Sequence, residues 1–149
     1  CHMKHHILEQ IDLLENSWTL SYGDYKAQVF AVSVGGGISF LNEFGDSLIF
    51  DGWVVREVSG LSINRANWKV QDRQASRRYL SGSRLFAEHL CDSWQSNIRL
   101  KMTRYTQKCE GFSSYENSII VDKEGHIILI RQAVGSNTYL KLTKNKSTI

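Results

Sequence analysis

Short segments in which apolar and polar side chains alternate, each closed by Gly, Asn, Asp or Ser, recur along this chain and leave little room for helix. Trp18, Leu20 and Tyr22 alternate with Ser17, Thr19 and Ser21, the period-two pattern of a half-buried strand. Tyr25 to Val34 reads as a second strand, turned back at Gly23-Asp24. Ile38 to Leu41, Ser47 to Phe50 and Trp53 to Val58 follow, and Asn67 to Gln71 is another short candidate. The 149 residues contain no proline, so the turns must come from the other turn formers. Asp51-Gly52 is the favoured dipeptide of a two-residue type I′ hairpin.

Ile98, Leu100 and Met102 alternate with Arg99, Lys101 and Thr103, which predicts one strand with a wet face. Ser118 to Val121 and His126 to Ile130 flank a hairpin turn in which Gly125 takes positive φ. Tyr139 to Thr143 is a closing strand. Ser83 to Trp94 is ambiguous, because Leu85, Phe86, His89 and Leu90 also fit helical spacing. Lys4 to Glu15 predicts a short helix, with Ile7, Ile11 and Leu14 on one face. Residues 1–3 read as a vector remnant ending in His2-Met3, or else Cys1 is a lipidated first residue. The expectation is a mainly β fold: one antiparallel sandwich or barrel-like domain over residues 4–149, with a short N-terminal helix. No window approaches the ~18 consecutive apolar residues of a membrane-spanning helix.

Catalytic patterns are sparse. Gly35-Gly36-Gly37 is followed by strand-like residues and no Lys-Ser/Thr, so it reads as a turn rather than a phosphate loop. No G-x-S-x-G elbow occurs, and nothing near His89, Cys91 and Asp92 has zinc-ligand spacing. The sequence therefore points away from an enzyme and calls for no cofactor or metal. Cys91 and Cys109 are either free thiols or a disulfide of an exported protein.

The net charge of +3 permits an anionic partner without demanding one. One segment concentrates it: Arg65, Lys69, Arg73, Arg77, Arg78 and Arg84 stand against the single acid Asp72. Trp68 and Tyr79, interleaved with them, suit stacking on a base or sugar ring while the cations meet phosphates. The competing reading is a solvated charged surface. Trp18, Trp53, Trp68 and Trp94 offer either a carbohydrate platform or core residues.

Two segments carry a resemblance. "LIFDGWVVREVSGL" resembles the hairpin of the YjbF/GfcB family, lipoproteins associated with group 4 capsule and exopolysaccharide operons. "YENSIIVDKEGHIILIRQAVG" is similar to that family's N-x-Y-W-V-D…G…S-R-Q segment, with Asn117, Val121, Asp122, Gly125, Arg131 and Gln132 on matching positions. Ile119-Ile120 stand where the family has an aromatic pair, and no proline follows Arg131-Gln132. The resemblance implies an exported β lipoprotein without a catalytic role, placed in the cell envelope or periplasm rather than the cytoplasm. On that reading Trp53, Arg56, Arg131 and Gln132 are the residues to probe, with polysaccharide or envelope proteins as partners. Two rivals stand beside it: a β domain binding nucleic acid or another anionic polymer through Arg65–Arg84, and a small lipocalin-like barrel with Trp18 closing its base.

Overall fold

A computed structural model describes residues 17–60, 66–111, 113–134 and 138–145. The expected helix over Lys4–Glu15 and the leading residues 1–3 lie outside them. Thirteen strands follow one another: β1 (Ser17–Tyr22), β2 (Tyr25–Val34), β3 (Gly37–Leu41), β4 (Ser47–Phe50), β5 (Val55–Gly60), β6 (Ala66–Arg73), β7 (Ser76–Ser81), β8 (Arg84–Cys91), β9 (Gln95–Arg99), β10 (Met102–Glu110), β11 (Ser114–Val121), β12 (Ile127–Ala133) and β13 (Tyr139–Lys144). Each of β1 to β7 pairs antiparallel with its successor, as do β10, β11 and β12. β13 returns to pair with β1, and β8 pairs with β10. The thirteen strands without β9 thus make a closed ring of twelve, an up-and-down barrel. A sandwich is excluded.

The period-two pattern sets what lies inside. Trp18 and Leu20 of β1, Phe40 of β3, Leu48 and Phe50 of β4, and Leu140 and Leu142 of β13 all point into one buried cluster. Trp18 stands edge-on to Phe40 with ring centres 5.2 Å apart. These side chains fill the barrel where a lipocalin-like reading would place a cavity.

Two local expectations need correction, and one ambiguity is settled. The link from β4 to β5 is a four-residue loop, Asp51–Val54, not a type I′ turn: Phe50 pairs with Val55, and Asp51 N donates to Val54 O at 3.0 Å. The alternation at 98–103 hides a hairpin, with Arg99 opposite Met102 and a turn at Leu100-Lys101. Both turn residues have positive φ, 54° and 65°, without glycine at either position. Ser83–Trp94 resolves as strand β8 rather than helix. The triple glycine is a turn from β2 to β3, where a Cβ on Gly37 would lie 2.3 Å from Phe50 O.

The ring is narrowest in pairing at its seam. β8 and β10 share only two residue pairs, Cys91 with Cys109 and Leu90 with Glu110. Cys91 N still donates to Ala75 O on the β6–β7 side, and Asp92 N already donates to Lys108 O. A disulfide joins Cys91 to Cys109 across this short ladder, closing a loop of 18 residues. In the chain-entropy account such a crosslink stabilises by about 3 kcal/mol. Replacing both cysteines by serine should lower the melting temperature by roughly 6–12 °C, measured by circular dichroism against the reduced wild type, which should fall by a similar amount.

Candidate functional site

Beyond Cys91 the chain leaves β7, so the barrel wall has a gap between the β6–β7 turn and the start of β9. A groove of about 550 Å³ occupies it. The Asp51–Val54 loop forms one side. Asp51 Oδ1 accepts from the backbone N–H groups of Trp53 and Val54, both at 2.8 Å, which holds the loop and turns the Trp53 ring outward. The Asp92–Trp94 link forms the opposite side. Trp53 and Trp94 meet across it with ring centres 5.4 Å apart, and Tyr105 of β10 packs edge-on to Trp53 at 5.2 Å. Trp53 keeps 46% of its surface exposed.

Charged groups form the floor in alternating order. Arg56 Nε lies 2.5 Å from Asp51 Oδ2, and Arg56 Nη1 lies 3.5 Å from Asp72 Oδ2. Arg77 donates to both oxygens of Asp72, from Nε at 2.8 Å and from Nη2 at 3.1 Å. Burial raises the Asp51 carboxyl, but the Val54 and Trp53 amides and Arg56 outweigh it and hold the group below its ordinary range. Arg77 is 1% exposed, and its contacts with Asp72 outweigh burial and keep it charged. Both carboxylates accept from guanidinium donors, Asp51 from Arg56 and Asp72 from Arg77.

A polar layer runs under the seam. Asn117 Oδ1 accepts from Ala133 N at 2.9 Å, while its Nδ2 donates to Gln107 Oε1 at 3.2 Å. Tyr79 donates to Ala133 O at 2.9 Å, and His89 Nδ1 pairs with the Tyr115 hydroxyl. Burial pushes His89 down, with the Arg77 charge adding to it, so the ring is neutral. Burial also pushes the Tyr115 phenol up. A Cβ on Gly111 would lie 2.5 Å from His89 Nε2, so only glycine fits beside the ring. Gln132 of β12 crosses the interior to β5: its Oε1 accepts from Val55 N at 2.8 Å, and its Nε2 donates to Val55 O at 3.2 Å.

The structure brings Trp53 and Arg56 to the groove and sets Gln132 at the adjoining strand end, so the two segments chosen from sequence are bonded to each other. Arg131 faces the other side of β12, with its guanidinium carbon 3.6 Å from the centre of the Tyr139 ring. The basic segment is dispersed. Lys69 pairs with Glu57 at 3.4 Å, Arg77 with Asp72, and Arg78 with Glu88 at 2.7 Å. Arg73 and Arg84 are exposed, and Arg65 lies outside the described residues. Trp68 and Tyr79 are core residues, as is Trp18, so of the four tryptophans Trp53 and Trp94 are the ones at the groove. Sequence reasoning missed Tyr105 and the Asp51–Asp72 floor, and it offered Trp94 only as one of four tryptophans suited to a carbohydrate platform or the core. An Asp two residues before a Trp was the one local sign, since Asp caps its own loop.

No family profile matches the chain, and no curated protein matches it in sequence. Among solved structures it is similar to the hypothetical lipoprotein YmcC from Escherichia coli (K12), with a TM-score of 0.64. The match covers 99% of this chain and 95% of that one at 12% identity, so it is a likeness of fold.

Two measurements check this arrangement. Gln132→Ala leaves the Val55 N–H and C=O without partners and should cost about 2–4 kcal/mol, or roughly 4–16 °C in melting temperature. The folded His89 lies below the ordinary imidazole value of 6.5, so the unfolded chain takes up the proton first. Its contribution is complete above that value and is lost as pH falls below it, through the folded value. Melting curves between about pH 7 and pH 5 should show a downward slope that His89→Gln flattens.

Proposed function

We propose that the chain is a non-enzymatic cell-envelope protein that holds a polysaccharide in the barrel-mouth groove and acts in its export or assembly. The observation that carries the reading is the Trp53–Trp94–Tyr105 group standing over a floor of fixed, ion-paired acceptors and donors. Sugar rings present apolar C–H faces and a rim of hydroxyls. Flat aromatic faces cover the first, and oriented carboxylate and guanidinium groups bond the second. The groove opens to solvent between the Asp51–Val54 loop and the Asp92–Trp94 link, which suits a chain laid across it rather than a small molecule enclosed. A lipoprotein as fold neighbour, and the resemblance of both hairpins to the capsule-associated lipoproteins, support the envelope location.

The rival readings have less behind them. Carboxylate partners on Lys69, Arg77 and Arg78 leave little free charge for an anionic polymer. Among the described residues, Trp18, Phe40, Leu48 and Leu140 occupy the interior where a lipocalin-like ligand would sit.

Oligosaccharides prepared from the host's own exopolysaccharide, titrated against intrinsic tryptophan fluorescence, test the proposal. Trp53→Ala and Trp94→Ala should each weaken binding about tenfold, the effect of losing ~1.4 kcal/mol, with the melting temperature nearly unchanged for Trp53→Ala, whose side chain is 46% exposed. Binding that ignores both substitutions, or no binding to any such oligosaccharide, would sink the reading.

A further inference from the structure

The β9–β10 hairpin borders the groove through Trp94 and Tyr105, but its tip has a different chemistry. All of β9 is exposed, and no strand among the described residues pairs with its outer edge. At its tip Ile98 is 73% exposed, Leu100 90% and Met102 44%. Between Gln95 and Cys109 the sequence holds four bases, Arg99, Lys101, Arg104 and Lys108, and no acid.

The register decides what can cover this tip. Ile98 pairs with Thr103, whereas Met102 pairs with Arg99 one row further on, so Ile98 and Met102 lie on opposite faces of the hairpin. Leu100 caps the turn between them. A rigid protein surface covers one face of such a ribbon and leaves the other wet. A fluid interface closes around the tip and covers both. The bases then sit at the depth of the headgroups, where negative phosphates meet them.

We infer that the β9–β10 hairpin is a membrane-docking finger that inserts Ile98, Leu100 and Met102 into the surface of an anionic bilayer while Arg99, Lys101 and Arg104 bind its phosphate headgroups. The inference is independent of what the groove holds. It gives the barrel a fixed attitude on the membrane, with the mouth end turned toward the lipid.

Flotation of the full chain with liposomes tests it, using phosphatidylcholine alone and phosphatidylcholine mixed with phosphatidylglycerol. Binding should require phosphatidylglycerol and weaken as salt rises. Lys101→Ala should weaken it about fivefold, and Leu100→Ser roughly tenfold. Dextran sulfate supplies the soluble polyanion control: Lys101→Ala should weaken that contact, and Leu100→Ser should not. Because folding could change in any variant, Leu100→Trp gives a second readout, a blue shift of its emission on anionic liposomes. Equal binding to both liposome types, insensitivity to Leu100→Ser, or no blue shift would each overturn the proposal.

Discussion

Closure of the sheet at β8 and β10 is the constraint on which the rest of this molecule depends. A meander of antiparallel strands keeps two open edges unless its ends meet, and open edges invite pairing with other chains. Here the last join rests on two residue pairs and a disulfide. It is so short because the chain abandons β7 at Cys91 and moves to β10 within one residue. The groove and the exposed hairpin are both products of that departure. The groove is the gap left behind, and β9 is the strand that went elsewhere.

The interior is divided accordingly. Under β1 to β4 and β13 it is apolar and tightly filled. Under β7, β8, β10 and β11 it is polar, with Arg77, His89, Gln107 and Asn117 all buried. Gln107 donates to Asp92 O just past the short ladder, and Asn117 accepts from Ala133 N, so two of these side chains meet backbone groups there. Arg77 is the most demanding, since a buried cation without its carboxylate costs several kcal/mol. Asp72 meets that demand from the groove side, which ties the integrity of the floor to that of the wall. Gln132 adds a tie across the diameter to Val55, bonding strands that are not neighbours in the sheet.

Much of the fold was legible because a half-buried strand shows its period in the sequence. The alternation at Trp18–Tyr22 and the glycine at position 125, with φ of 86°, needed nothing beyond local rules. What failed was local evidence that pointed two ways. Alternation in the sequence carries straight through Leu100-Lys101, although the turn puts Met102 on the face opposite Ile98, and no glycine marks it. β7 was hidden by Arg77-Arg78, which look like surface charge until one of the pair is seen turned inward onto Asp72. The groove was half legible. Trp53 and Arg56 sit on a recognisable hairpin, but Trp94 reaches Trp53 only through barrel closure, and no spacing in the sequence reports that.

Because β13 returns to β1, Asn145 N donates to Ser17 O at 3.0 Å, and the two ends of the described barrel lie side by side at one rim. A pull applied between them would not load the β1–β13 hydrogen bonds together. It would open them in succession from Ser17 and Asn145 downward, like a zipper, at low force. Tension applied along β8 and β10 meets a covalent bond instead. The barrel is therefore mechanically anisotropic: compliant where its ends meet, and locked at the seam beside its groove.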